Sequence, residues 1–400
     1  MAFDLLIANA KTRKTGKKNI LIGITDGKIS SIGENLPNDA KKTIDACGGL
    51  VTESFVNGHL HLCKVYTLEM AGQDALGSYH GGGMGGAMTA IEQAARFKES
   101  YDEKWIINNV RKALDLALKH GNTHIRAFAD VDPKARLEGV KALLKAKKEY
   151  EGKVDLQVVA FPQDGVVRDP GAADYIKQAI ELGADVVGGI PWIELSGHDE
   201  QSHINEMFDL ATTYNKDVSM LLDDVGDPNE KTLEMMALKV IEKGWQGRAT
   251  AQHCRAMALY EENYFRKITA LLKKAKVGIV SDPHTGPLHA RVRDLVAAGV
   301  DVALGQDDIA DAYYPFGSCN MLEVAFLAVH LLWMTTFADM EIIYDMVTTS
   351  AARALDIKNH VLEVGGNADL VILEAEDVYH AIWQHSKPKF VIRNGVDVTI

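Results

Sequence analysis

His59 and His61 stand as Gly58-His59-Leu60-His61 at the end of the apolar run Leu50-Val51-Thr52-Glu53-Ser54-Phe55-Val56, one residue beyond it. In a strand, residues i and i+2 share a face, so two imidazoles one residue apart can reach one metal ion from the strand's carboxyl end. The chemistry this suggests is metal-assisted hydrolysis. With 14 histidines in the chain, an H-x-H also arises by chance, so the pair gains meaning only from what stands beside it.

Elements that could position such a pair recur along the chain. Strand patterns cover Val51–Val56, Thr123–Ala129, Leu156–Phe161, Val186–Ile190, Asp217–Leu222, Arg248–His253, Val277–Ser281 and Val300–Leu304. Amphipathic helical stretches follow nearly all of them, among them Pro133–Tyr150, Ala172–Leu182, Asn229–Lys243 and Tyr264–Lys274. Strand–helix alternation of this count fits an α/β fold of the (β/α)8 TIM-barrel type, whose reactive groups lie at the strand C-termini. A doubly wound open sheet is the competing arrangement, but polar, chemically capable residues end almost every strand, as a barrel mouth requires. Both ends of the chain read differently. Asp4–Ala10, Ile20–Ile24 and Ile29–Ile32, with a turn at Asp26-Gly27, form a hairpin pattern, and Asp369–Leu373 and Phe390–Val396 repeat the strand signal. We therefore expect a small β-sandwich from residues 1–50 and 360–400 around a barrel of residues 51–359. The glycine-rich segment Ser78 to Gly86 lacks a phosphate-loop pattern and reads as a mobile loop over the barrel mouth.

The strand ends carry His59 and His61, Phe128 and Asp130, Gln163, Trp192 and Glu194, Asp223 and Asp224, His253, and Asp307 and Asp308. Histidine and carboxylate ligands from separate strands are how a barrel holds a catalytic divalent ion. Each has a plainer reading when taken alone. Asp308 could cap the following helix, and His253 could be a satisfied core histidine.

A net charge of -12 and the lack of a long Lys/Arg run argue against nucleic acid, because phosphate binding needs a basic face. Lys11–Lys18 and Lys145–Lys148 read as solvated turn and helix faces. Cys47, Cys63, Cys254 and Cys319 are widely spaced with no C-x-x-C, which argues for free thiols in a reducing compartment. Neither a signal-peptide pattern nor an 18-residue apolar run is present. The expectation is a soluble cytoplasmic protein with no membrane partner.

The frame H-x-H, Val158-Val-Ala-Phe-Pro-Gln163, Gly183-Ala-Asp-Val-Val-Gly-Gly-Ile-Pro191, Ala251-Gln-His-Cys-Arg-Ala-Met257 and Gln306-Asp-Asp-Ile-Ala-Asp-Ala-Tyr-Tyr-Pro-Phe-Gly317 resembles the bacterial cytosine deaminase branch of the amidohydrolase superfamily. It also resembles the aminohydrolases that strip alkylamines from hydroxylated s-triazines. The resemblance spans nearly the whole chain and implies a hydrolase of C–N bonds in small nitrogen heterocycles, a homo-oligomer, and one divalent ion of the Zn, Fe or Mn kind. By that resemblance His59, His61 and Asp307 are metal ligands, and Asp307 also accepts a proton from the attacking water. His253 orients that water, and Gln163 reads the substrate's ring edge. Trp192, Asp308 and Tyr313, with Tyr314 and Phe316, are expected around the substrate.

Departures from the family pattern are specific. Where the family has His-Cys-Asp-Glu after the fifth strand, this chain has Leu221-Leu222-Asp223-Asp224. Leu221 cannot ligate, so His253 is expected as the replacement ligand, with Asp223 a lesser alternative; Asp224 stands in for the acid/base glutamate. Cys63-Lys64 replace the usual aspartate, and Phe128 replaces a histidine. Cys63 and Cys254 are expected behind the barrel wall. The functional expectation is a deaminase or cyclic-amide hydrolase, with a cytosine-type deaminase proper, or a barrel that binds a small molecule without catalysis, as the alternatives.

Overall fold

Fully buried apolar runs form strands that can bury both faces, and here one such run serves two sheets. The computed structural model describes residues 2–13, 19–71 and 97–400. The run from Leu50 to Val56 does not form the single strand expected. It divides at Ser54 into β5 (Leu50–Glu53) and β6 (Phe55–Leu60). The Ser54 amide donates to Asp369 O at 2.9 Å and the Phe55 amide to Gly121 O at 2.9 Å, so the chain changes partners between adjacent residues. Every residue of both halves is buried, so hydropathy has no period there to mark the break.

The first sheet gathers the chain termini. It runs in the order β16 (Val396–Asp397), β15 (Phe390–Arg393), β14 (Leu370–Leu373), β5, β1 (Phe3–Thr12), β2 (Ile20–Thr25) and β3 (Lys28–Gly33), with β4 (Ala40–Asp45) also on β1. β1 bends between two wings: Phe3 to Ala8 pair with β4, whereas Lys11 and Thr12 pair with β5. A shared core of Leu5, Ile7, Ile22, Ile24, Ile44, Val51, Leu370 and Ile392 lies between the wings. The expected Asp26-Gly27 turn is present, both residues having positive φ (51° and 70°), as a tight hairpin of this hand requires.

The second sheet is the barrel. β6, β7 (Asn122–Asp130), β8 (Asp155–Phe161), β9 (Val186–Gly189), β10 (Asp217–Leu222), β11 (Ala249–His253), β12 (Gly278–Ser281) and β13 (Val302–Leu304) lie side by side in chain order, all parallel. Closure between β13 and β6 uses the residues of interest themselves. The His61 amide donates to Asp307 O at 2.8 Å, and the Asp307 amide donates to His59 O at 2.9 Å. Outer helices follow the expected pattern, including Ala172–Leu182 and Glu262–Ala275. The helix expected from Pro133 begins only at Glu138, because the Asp132 carboxylate accepts from the Lys134 and Ala135 amides and holds a turn there. The segment Ser78 to Gly86 and most of the Lys11–Lys18 cluster lie outside the described residues. Among those residues no helix is long and apolar enough to cross a membrane.

Candidate metal centre and active site

Parallel strands deliver their last side chains to one rim, and positive φ at several strand ends turns the chain sharply there. His253 (64°), Asp307 (67°) and Asp223 (48°) all adopt it, a conformation uncommon for non-glycine residues and worth its cost only when the fold fixes it.

His59 is held from behind. Its Nδ1 lies 3.0 Å from Gln252 Oε1, and Gln252 Nε2 donates to Ser219 Oγ at 2.8 Å. A carbonyl oxygen only accepts, so Nδ1 carries the proton and the Nε2 lone pair faces inward. That Nε2 is buried with no hydrogen-bond partner, 3.2 Å from Asp307 Oδ1. His61 Nε2 lies 3.7 Å from the same oxygen. Burial, with the nearby Lys64 charge, holds the His61 imidazole well below its usual pKa and therefore neutral. Lone pairs and a carboxylate oxygen converging in a dry site repel one another unless a cation lies among them. The donor set therefore fits one divalent ion, and His59, His61 and Asp307 each offer a ligand atom within 4.8 Å of the others.

His253 reaches the same place. Its ring centroid is 4.8 Å from that of His59, and its Nδ1 lies 2.7 Å from Asp282 Oδ1. Burial opposes charge on this ring, but Asp282, Asp224 and Asp307 outweigh it and push the pKa up to about 9. Arg255, two residues on, is 3% exposed and reaches Asp224 Oδ1 at 2.7 Å, Asp282 Oδ2 at 3.2 Å and Thr285 Oγ1 at 2.8 Å, with Asp307 Oδ2 at 3.7 Å. One guanidinium thus braces three carboxylates. Asp224 is raised by burial against the pull of Arg255 and His253.

The opposite wall is apolar. Leu221 packs in a buried cluster with Phe128, Val159, Phe161, Ile190, Trp192 and Tyr313. Phe128 lies 4.2 Å, centroid to centroid, from His59. Lys64 crosses the floor of the cavity, donating to Gln163 Oε1 at 2.7 Å and lying 4.7 Å over the Tyr313 ring. Burial would discharge it, but Asp130, Asp308 and Asp311 keep it charged. With Oε1 so engaged, the Gln163 amide nitrogen is the group left for a ligand. Asp308 has a buried, unpartnered Oδ1, and burial beside Asp307 and Asp311 raises it well above the carboxylate range.

His61, Gln163, Trp192, Asp224, His253, Asp307, Asp308 and Tyr313 line one cavity with Lys64, Leu221 and Arg255, and His59 lies directly beneath. Other expected residues go elsewhere. Tyr314 and Phe316 are not among the residues lining that cavity: Phe316 is 68% exposed, and Tyr314 packs edge-on against His284, whose Nε2 lies 3.2 Å from Gln306 O. Asp308 does not cap the following helix, which begins at Met321 on Asn320. Asp223 turns outward to Thr232 Oγ1 and the Leu233 amide. Glu194 accepts from the Val166, Val167 and Arg168 amides and His203, so it fixes the loop after β8. Cys63 and Cys254 are buried and free, and burial raises both thiols. Arg255 and Asp282 were not singled out from sequence, and Lys64 was noted only as a departure from the family pattern. Asp282 directly follows β12, as Asp307 closely follows β13, and that position was its signal.

Comparison with known proteins identifies the family and the fold. The model of the amidohydrolase family matches residues 42–395. The chain is 31% identical to the N-isopropylammelide isopropyl amidohydrolase of Pseudomonas sp. (strain ADP), over 98% of this chain and 96% of that protein. It is 27% identical to the pterin deaminase of Rhizobium rhizogenes, over 94% and 86% of the two chains. Its fold superposes on the 5-methylcytosine deaminase of Klebsiella pneumoniae liganded with 5-fluorocytosine with a TM-score of 0.89 and 30% identity, covering 98% and 97%. A (β/α)8 barrel with a histidine–aspartate centre at its closing seam, matched along nearly its whole length, belongs to the amidohydrolase family.

Proposed function

We propose that the protein hydrolyses a C–N bond of a small nitrogen heterocycle at this rim, with His59, His61, Asp307 and His253 around one Zn, Fe or Mn ion. The observation that carries the reading is the His59 Nε2 lone pair, fixed by Gln252 and facing Asp307 without a donor. When bound, the ion supplies the Lewis acidity that brings a water's pKa toward neutrality. Asp307 is placed to accept the proton that water gives up. His253, held by Asp282, would be the further ligand in place of a residue at Leu221, giving up its proton as the ion binds. The flat ring lies along Leu221, Trp192 and Tyr313, and the Gln163 amide nitrogen, oriented by Lys64, donates to an acceptor on its edge. Asp224, clamped by Arg255, passes a proton to the leaving nitrogen. The relatives named for ammelide, pterin and 5-methylcytosine support a flat aminated heterocycle as substrate. We also take the protein to be a homo-oligomer, which light scattering checks.

The test is a screen of aminopyrimidines, aminopterins, s-triazines and cyclic amides, scoring ammonia or amine release separately from ring opening, alongside metal analysis of protein purified without chelator. Turnover with near-stoichiometric metal is expected. Less than about a tenth of an equivalent of metal would overturn the reading, since a resident catalytic ion binds far more completely, and would leave a barrel that only binds. Leu221→His tests the apolar wall: retained metal rises, while turnover of an apolar-faced substrate falls.

A further inference from the structure

Away from the rim, at the opposite end of the barrel strands, a second convergence of metal-ligating groups joins the barrel to the terminal sheet. His124 is near the start of β7, His360 precedes the terminal strands, and Asp369 immediately precedes β14. All three are at least nine-tenths buried, at 4%, 4% and 1% exposed, and they offer ligand atoms within 4.8 Å of one another.

Their hydrogen bonds determine which atoms are left. His360 Nε2 lies 2.8 Å from Ser54 O, a carbonyl that only accepts, so the proton is on Nε2 and the lone pair on Nδ1. That Nδ1 is buried without a hydrogen-bond partner. His124 Nδ1 is engaged by Thr123 Oγ1 at 2.8 Å, leaving Nε2 3.9 Å from Asp369 Oδ2 and 3.6 Å from Asp155 Oδ2. Arg393 donates to Asp369 Oδ1 at 2.6 Å and also pairs with Asp155, while Asp369 Oδ2 has no hydrogen-bond partner. The two rings stand edge to face, 5.0 Å apart. Unbridged, two buried acceptor atoms and a nearby imidazole nitrogen face each other, an arrangement that costs stability.

We propose that His124 Nε2, His360 Nδ1 and Asp369 Oδ2 form a structural site for a divalent cation of the zinc class. Two imidazoles and a carboxylate are a donor set that suits zinc. Each ring is oriented by a hydrogen bond at its other nitrogen, as metal-ligating histidines are. A surface groove lined by His124, Asp155, Gln157, Lys147, Leu355 and Ile357 reaches the site from outside. The ion would tie β7 of the barrel to β14 of the terminal sheet. This assignment is independent of the catalytic reading, because it uses none of the rim residues.

The test separates the two centres by stoichiometry. Full-length protein is stripped with chelator, re-equilibrated with zinc and dialysed, and its zinc content and melting temperature are measured. The expectation is about two equivalents in the native chain, about one in H59A/H61A, and about one in His360→Gln with its turnover kept within about twofold. Zinc should raise the melting temperature of H59A/H61A, and adding His360→Gln or His124→Gln to that background should abolish the rise. Cobalt substituted for zinc in H59A/H61A should give visible ligand-field bands that His124→Gln removes. The proposal is overturned if H59A/H61A binds less than about a tenth of an equivalent, or if the His360 and His124 variants hold zinc as the parent does. Should neither histidine variant fold, a stoichiometry of one in the native chain with none in H59A/H61A overturns it equally.

Discussion

A metal site is only as good as the groups that aim its ligands, and in the proposed centre a neutral amide would do the aiming for His59. Gln252 fixes the ring's tautomer and is itself fixed by Ser219. Replacing it by an isosteric apolar residue, Gln252→Leu, is expected to weaken metal binding by about 10–100-fold, the usual effect of losing such a support. Competition with a chromophoric chelator measures this; an unchanged affinity would show that the amide does not set the ring. Arg255 has a different task. It is the guanidinium paired with Asp224 and Asp282, so Arg255→Met leaves the buried Asp224 without its ion-pair partner, and a loss of about 3–5 kcal/mol in urea unfolding is expected. Arg255→Lys should recover part of that but not the two-handed grip on Asp224 and Asp282. The candidate ligands were legible in the sequence because their spacing follows strand geometry and the family frame. The contacts of Arg255 and Lys64 were not, since their long side chains reach partners set by three-dimensional neighbours, and no periodicity reports that.

Strands carry these residues to the rim, and glycine decides how closely two of them meet. At Gly305 an added Cβ would fall 2.6 Å from His59 Cβ and 3.1 Å from the His59 amide nitrogen, so β6 and the chain after β13 approach more closely than any side chain allows. Gly305→Ala is expected to force the seam apart, costing about 1–3 kcal/mol as overpacking does and displacing His59 from Asp307. The check reads both quantities: thermal unfolding for the first, and metal retained after dialysis for the second. A variant that loses stability while retaining its ion would show that the seam relaxes away from the centre. The barrel strands themselves were legible almost residue by residue; Asp217–Leu222 has the expected bounds, and Ala249–His253 is one residue shorter. Their apolar runs are short and separated by helices of clear period. The division of the first run into β5 and β6 was hidden because both parts are buried on every side, and only the change of hydrogen-bond partner at Ser54 marks it.

For the molecule as a whole, that division joins its two parts. β5 lies between β1 and β14 in the terminal sheet, and the next residue but one begins the barrel, with no linker to absorb separate motion. The contacts agree with the chain path. Val371, Leu373, Val378, Ala381, Ile382 and Val391 belong to the same continuous core as the barrel's own strands and helices. Arg13, from the N-terminal strand segment, grips Glu341 and Asp345 of a barrel-side helix at 2.8 Å each. Units that share a core and an uninterrupted strand connection have little reason to unfold apart. Chemical denaturation is therefore expected to give coincident transitions when followed by far-ultraviolet dichroism and by tryptophan fluorescence. The fluorescence would report both on Trp192 at the rim and on Trp383 in the helix Val378–Gln384, which lies between β14 and β15. Hydrogen exchange resolves the point further, since the amides of β14 and β6 should open with free energies that agree within about 1 kcal/mol if both report the global transition. An earlier transition confined to β14–β16, with β6 still protected, would mean that the terminal sheet is a separable unit and that the centre at the rim survives without it.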